Sequence, residues 1–338
     1  MDARRCLRWA GLCLLSLASA SALAAEPLRL EELGDGPVPV PGIGNAELSG
    51  ITWMGGTRYL AVDDGRSRLF PLEVALDGES GKIARVVAGQ FVSLKGARDI
   101  EGIAWWPARG SVLVTDEMVH EIREYDPTSG EVGRTTPPPP VFRGRIRENR
   151  GFEGIAVAPD GKSVWIANEG PLRLDGGSPS ALEGAWVRIQ RLDASLAARG
   201  QWAYLTEPGL GFVGVVDLMV APAGELLVLE RALTGGGFSA RIFSVDLAEA
   251  TDVSGFDKLR NRDDFEPARK EKLWERSGGF QNFEGIALGP ELPGGGRLVL
   301  LVSDGGGQRQ PTLLALRLTT PSSEPSKTPV PAKDQPAR

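Results

Sequence analysis

The chain has 338 residues, with 38 Lys and Arg against 44 Asp and Glu, one His and two Cys, for a formal charge of −6. An acidic chain repels the phosphate backbone that dominates nucleic-acid affinity, and a single histidine, His120, cannot supply a two- or three-histidine metal centre. The 44 Gly and 25 Pro are too much punctuation for a helical bundle, whereas 41% hydrophobic and 24% charged residues make an ordinary globular balance.

Residues 1–24 have a basic start (Arg4, Arg5, Arg8), an apolar run from Trp9 to about Ala22 and a close at Ala22-Leu23-Ala24. That is the pattern of a cleavable export signal, too short to span a bilayer. Arg4-Arg5 faintly resembles a twin-arginine signal, but Sec export is preferred, and a periplasmic or secreted location is expected. Both cysteines, Cys6 and Cys13, lie in this segment; its removal also takes Asp2 and three arginines, leaving 43 acids against 35 bases. The mature chain then has no disulfide, thiol nucleophile or Cys-ligated metal.

Residues 25–320 are expected to be one domain, entered by a Pro-rich lead that holds one strand-like stretch, Leu28 to Leu33. Beyond it, short apolar runs such as Tyr59 to Val62, Ser111 to Val114, Val164 to Ala167, Leu226 to Leu229 and Leu298 to Leu301 are each bounded by turn residues, which favours strands over helices. Residues 321–338, rich in Pro with Ser, Lys and Glu, have no apolar periodicity and read as a disordered tail.

A repeat organises these runs. Glu47-Leu-Ser-Gly50-Ile51 is followed by Glu101-Gly-Ile103, Glu153-Gly-Ile155 and Glu284-Gly-Ile286, with a degenerate copy around Asp217. Ile51, Ile103 and Ile155 are spaced 52 residues apart, and each start is followed by a turn, a second strand ending in an acid and a third alternating strand. Fourth strands are expected near Val86–Leu94, Val141–Arg143, Gln201–Leu205 and Leu273–Trp274. The last unit lacks one, which Leu28–Leu33 can supply. Units of roughly 50 residues with four strands predict an all-β fold, a β-propeller whose ring closes by pairing the N- and C-terminal strands. Five blades are counted; two units are long enough that six stay open. A β-sandwich would leave the 52-residue period unexplained.

In a propeller, the start of a first strand and the end of a second emerge at the same end of the disc. Glu47, Glu101, Glu153, Asp217 and Glu284 would form an inner set, with Asp63/Asp64, Asp116/Glu117, Glu169, Glu230 and Asp304 one strand further out. Crowded carboxylates raise one another's pKa unless a cation or arginines neutralise them. Hard oxygen ligands favour Ca²⁺, with Mg²⁺ the second choice. Metal-ligand candidates are Glu47, Glu101, Glu153, Asp217, Glu284 and Asp304. Arg150 and Arg231 lie beside channel acids as candidate charge neutralisers, and Asp116 and Glu169 as candidate bases. Each Glu-Gly-Ile could equally be a blade-packing device capped by backbone N–H groups. His120 reads as surface or packing, and Trp53, Trp105, Trp106 and Trp165 as core.

Asp99-Ile-Glu-Gly-Ile103, Asn149-Arg-Gly-Phe-Glu-Gly-Ile155, Leu227-Val-Leu-Glu-Arg231, Asn282-Phe-Glu-Gly-Ile286, Leu301-Val-Ser-Asp304 and Thr312-Leu-Leu-Ala-Leu316, in that order, resemble the phytase-like family, described as having esterase-like activity of phytase. The resemblance covers nearly all of the mature chain. It implies an exported propeller-like domain acting on phosphate or carboxylic esters with calcium. Here Asp304 is followed by Gly305-Gly306-Gly307 where similar members have Asp-Asn, which weakens a cation site at that point. Two functions follow: a metal-assisted ester hydrolase at an acidic channel mouth, or a non-catalytic propeller that holds a structural cation, a small polar ligand or a protein partner. The oligomeric state is not legible.

Overall fold

The computed structural model describes residues 28–209, 212–306 and 309–319. The export signal and the Pro-rich tail read from the sequence lie outside the described residues. The apolar runs bounded by Gly, Pro and Asp form antiparallel strands, as their β-branched composition and short length favour. They build five sheets of four strands around one axis, the fifth sheet joining the first to close a five-bladed propeller.

Blade 1 comprises Leu48–Gly55, Arg58–Asp63, Arg68–Leu76 and Ile83–Ala88, with the two-residue strand Val92–Ser93 also pairing the third. Blade 2 comprises Ile100–Trp106, Ser111–Asp116, Glu121–Tyr125 and Val132–Thr136. Blade 3 is built from Phe152–Val157, Ser163–Asn168, Trp186–Asp193 and Ala198–Leu205, and blade 4 from Val213–Val220, Leu226–Thr234, Gly237–Asp246 and Arg269–Ser277. Blade 5 takes Asn282–Glu291, Arg297–Asp304 and Thr312–Thr319 from the end of the chain and its outer strand, Arg29–Pro39, from the beginning. Leu30 stands opposite Leu318 and Glu32 opposite Leu316. This pairing hides two edges that would otherwise stay open.

Two expectations need correction. The outer strand of blade 2 is Val132–Thr136, and Val141–Arg143 is not a strand; Pro140–Phe142 forms a single 3₁₀ turn after a run of prolines that cannot donate to a ladder. The extra length of the two long units builds no sixth blade. It forms segments 169–185 and 247–268, both tied to Asp175. Asp175 pairs with the fully buried Arg188 through bonds of 2.7 and 2.9 Å and accepts the Leu259 N–H at 2.8 Å.

The apolar strand faces pack between blades. Five clusters fill the five interfaces; Tyr59, Phe70 and Leu300, for example, meet between blades 1 and 5, and Trp106, Phe152 and Ile166 between blades 2 and 3. At the hub the innermost strands nearly touch. A Cβ on Gly102 would lie 2.2 Å from the Glu153 carbonyl oxygen, and one on Gly50 2.7 Å from that of Glu101. Glycine in Glu-Gly-Ile is therefore a close-approach residue. Beyond that layer the Ile ring opens on an apolar cavity of about 360 Å³ that includes Trp53, Trp105 and Arg297 in its wall.

Candidate cation and ester site at the acidic mouth

The geometry of the Glu-Gly-Ile repeat aims its acid. Every innermost strand has a register irregularity within the repeat, between Leu48 and Gly50, Ile100 and Ile103, Phe152 and Ile155, Val215 and Asp217, and Phe283 and Gly285. A bulge of this kind re-aims a side chain. At the opposite end of the hub from the apolar cavity lies a second cavity of about 300 Å³, lined by Asp64, Asp99, Glu101, Glu117, Asn149, Arg150, Glu153, Glu169, Phe212, Arg231 and Glu284. Seven carboxylates meet two guanidiniums there.

The second strands contribute by alternation. Asp63, Asp116, Asn168, Glu230 and Ser303 stand opposite the innermost strands and turn into the blades. Asp63 accepts the Glu47 N–H at 3.0 Å and bonds Arg68; Glu230 accepts from the Tyr204 hydroxyl at 2.6 Å and from Lys270 at 2.8 Å. The residue after each one, Asp64, Glu117, Glu169, Arg231 or Asp304, sits at the mouth end. Asp116, expected as a base at the mouth, is instead fully buried, accepting the Arg98 N–H at 3.1 Å with Arg123 3.5 Å away. Glu117 holds the mouth position.

The remaining expected residues divide. Glu101, Glu153, Glu284, Glu169, Arg150 and Arg231 all line the cavity. Glu47 does not. Counted from the common isoleucine it aligns with Asp99, and Ser49 takes the position of Glu101, donating to the Ile100 carbonyl at 2.8 Å. The Glu47 carboxylate rests against Gly65, beside Asp64. Asp304 stays at the rim, accepting the Gly306 N–H at 2.6 Å. Asp217 occupies the glycine position of its repeat and is a structural pin. Its carboxylate accepts the N–H of Leu218 and of Ile286, each at 2.8 Å, and that of Ile155 at 3.4 Å, so it ties together the innermost strands of three blades and does not line the acidic cavity.

Charge is balanced on one side of the mouth only. Arg231 donates to Glu169 at 2.7 Å and to Glu284, and Arg150 donates to Glu169 at 2.6 Å. Asn282 adds a bond of 2.7 Å to Glu284. Asp64, Asp99, Glu101, Glu117 and Glu153 have no guanidinium or ammonium bonded to them among the described residues. The Glu101 and Glu153 carboxylates accept no hydrogen bond from any described residue, although Glu153 is only 8% exposed. Oxygens of Asp99, Glu101 and Glu117 lie within 4.8 Å of one another.

The proton affinities follow. Burial, then the Glu284 charge, pushes Asp64 up to about 8. Burial raises Glu117 to about 7 despite the bond it accepts from Gly151 N–H, and burial raises Glu284 to about 7 against the pull of Arg231. Glu101 and Glu153 go well above the ordinary carboxylate range, first by burial and then through neighbouring carboxylates. Two ionised carboxylates at this separation repel by roughly 3 kcal/mol at an effective dielectric constant of about 20. Crowded carboxylates without hydrogen-bond donors, as Glu101 and Glu153 are among the described residues, suit a hard divalent cation.

Asp64 and Glu117 were legible as acids at the ends of second strands but not as members of the cavity wall, and Asp99, two residues before Glu101, was not counted among the acids of the repeat. Asn149, Phe212 and Asn282 carried no repeat signal that would place them at the site.

Residues 43–305 match the sequence profile of a family described as Phytase-like: Esterase-like activity of phytase. The chain belongs to that family. No curated protein matches it. Among solved structures it is similar, at 13% identity and a TM-score of 0.43, to the PQQ-bound aldose sugar dehydrogenase of Streptomyces coelicolor, covering 88% of this chain and 100% of that one. It is similar at 11% identity and a TM-score of 0.42 to the glutaminyl cyclase of Myxococcus xanthus, covering 88% and 100%. Similarity to Kuenenia stuttgartiensis hydrazine synthase, at 13% identity and a TM-score of 0.37, covers 78% of this chain and 58% of that one, so the chain spans little more than half of that relative. Likeness at this level says nothing about activity.

Proposed function

We propose that this phytase-like protein is an exported, divalent-cation-dependent ester hydrolase, with Ca²⁺ the preferred ion and phosphate or carboxylic esters the substrate. The observation that carries the reading is the part of the mouth where, among the described residues, no guanidinium or ammonium is bonded to the acids: Asp99, Glu101 and Glu117 converge there, flanked by Asp64 and Glu153. Those three would hold the cation. When bound, the ion supplies polarisation of an ester oxygen and a water of lowered pKa. Glu153, buried beside them and held well above the ordinary carboxylate range by burial and its acidic neighbours, is placed to exchange a proton with the ester. Glu169 anchors Arg150 and Arg231, which keep positive charge at the wall where negative charge develops on the ester. The N-terminal leader read from the sequence supports action outside the cytoplasm. Among the described residues, no helix is long and apolar enough to cross a membrane.

A non-catalytic propeller that holds a cation or polar ligand is the second reading. One feature favours it: both arginines at the mouth are already engaged by carboxylates. Assays on an aryl phosphate, an aryl carboxylic ester and inositol hexakisphosphate, with Ca²⁺ and with chelator, separate the two. Turnover that needs Ca²⁺ and disappears in Glu101→Gln supports the hydrolase. A Ca²⁺-dependent rise in melting temperature without turnover of any ester supports the second reading.

A further inference from the structure

The mouth carries an apolar feature that a site for a highly charged substrate has no use for. Phe212, where the chain enters the innermost strand of blade 4, lines the acidic cavity and is 56% exposed. The Arg150 guanidinium lies 4.8 Å from its ring centroid and is simultaneously fixed by Glu169 at 2.6 Å, so the ring rests on an anchored cation. An aromatic ring in the wall of an otherwise polar cavity, held in place by an anchored cation, offers a face on which a ligand's flat apolar part can stack.

Charge and size act in the same direction. Among the described residues, one set of three carboxylates converges closely enough to share an ion. With one divalent cation held among seven carboxylates, the wall offers only two guanidiniums as further positive charge for a substrate. Neither arginine is free to clamp additional phosphates, since Arg150 and Arg231 are engaged by Glu169 and Glu284. The cavity, about 300 Å³, is at the lower end of the range for small-molecule sites.

We infer that the mouth is selective for small esters with one anionic or polar head and an aryl or similarly flat apolar group that stacks on Phe212, and against polyphosphorylated polyols. The inference rests on the hydrolase reading for its chemistry, but its recognition element can be measured without turnover.

The test is calorimetric titration of the full chain in excess Ca²⁺ with phenylphosphonate, methylphosphonate and inositol hexakisphosphate, repeated with Phe212→Ala and Phe212→Tyr. The stacking increment of one aromatic pair predicts phenylphosphonate binding about threefold to tenfold tighter than methylphosphonate. Phe212→Ala should erase that difference and Phe212→Tyr should keep it, with the melting temperature of each variant near that of the parent. Equal affinity for the two phosphonates, no binding of either, a preference that survives Phe212→Ala, or tighter binding of inositol hexakisphosphate overturns the inference. If the phosphonate pattern holds while no aryl ester is turned over, the aromatic subsite stands and the hydrolase reading falls.

Discussion

Adjacent residues at the end of each second strand leave on opposite sides of the sheet, and that alternation assigns different work to Asp116 and Glu117. Asp116 is buried against Arg98 and Arg123, whereas Glu117 faces the cavity. Glu117→Gln should therefore abolish the rise in melting temperature that Ca²⁺ produces. At a cation concentration of about 100 Kd that rise corresponds to about 2.7 kcal/mol. Asp116→Asn should destabilise the fold by roughly 1–3 kcal/mol and leave the Ca²⁺ response intact. Scanning calorimetry of the two variants with and without the ion checks both, and the same response in each would remove the distinction. Arg231 is the opposite case. Replacing it with Met leaves Glu169 and Glu284 without their shared partner, so a loss of about 3–5 kcal/mol is expected in denaturant unfolding. Most acids of this site could be read from the repeat, but their facing could not. Glu47 stands four residues before Ile51 while Glu101 stands two before Ile103, and only counting back from the isoleucine aligns Glu47 with Asp99. Asp217 looked like a degenerate glutamate because a carboxylate at the glycine position has no sequence cue for the N–H groups it meets.

At the scale of the strand, the repeat works because glycine lets each innermost strand approach the next. Gly102→Ala would push a Cβ to within 2.2 Å of the Glu153 carbonyl oxygen, which is backbone and cannot rotate away. The expected penalty is roughly 1–3 kcal/mol, together with weakened Ca²⁺ binding, because the strand that must shift carries Glu101 next to Gly102. Gly55→Ala is a useful comparison, since no atom lies within 4 Å of the added carbon; its strain comes from a positive φ of 105° alone. A Gly102 variant with unchanged stability would mean the hub relaxes more easily than its packing indicates. The 52-residue spacing and the turn residues made the three inner strands of each blade legible. Outer strands were less so. They sit at the rim, half-exposed, and Val132–Thr136 has no strong apolar alternation, whereas Pro-flanked Val141–Arg143 mimics it. The closing strand Arg29–Pro39 was found by topology, because the last unit had a vacancy and the chain's first apolar stretch had no other partner.

For the molecule as a whole, the ring of blades forces carboxylates together that an open sheet would keep apart, and the stability of the fold must register this. Asp64, Glu117 and Glu284 bind protons in the native state up to about pH 8, 7 and 7, while in the unfolded chain they return to the ordinary range near 4. Between about pH 4 and pH 8 the native state therefore holds more protons than the unfolded one. Linkage then makes the contribution of these groups fall as pH rises, so the repulsion is greatest when all are ionised. In chelator, the melting temperature should be higher at pH 5 than at pH 8. A divalent cation competes with those protons and is bound most tightly when they are gone. Added Ca²⁺ should thus raise the melting temperature more at pH 8 than at pH 5, flattening the profile or reversing its slope. Thermal unfolding at both pH values, with chelator and with Ca²⁺, supplies the four numbers needed. A chelated protein that grows steadily more stable from pH 5 to pH 8 would show that the mouth carboxylates are neutralised by the protein itself, and the need for a cation there would disappear.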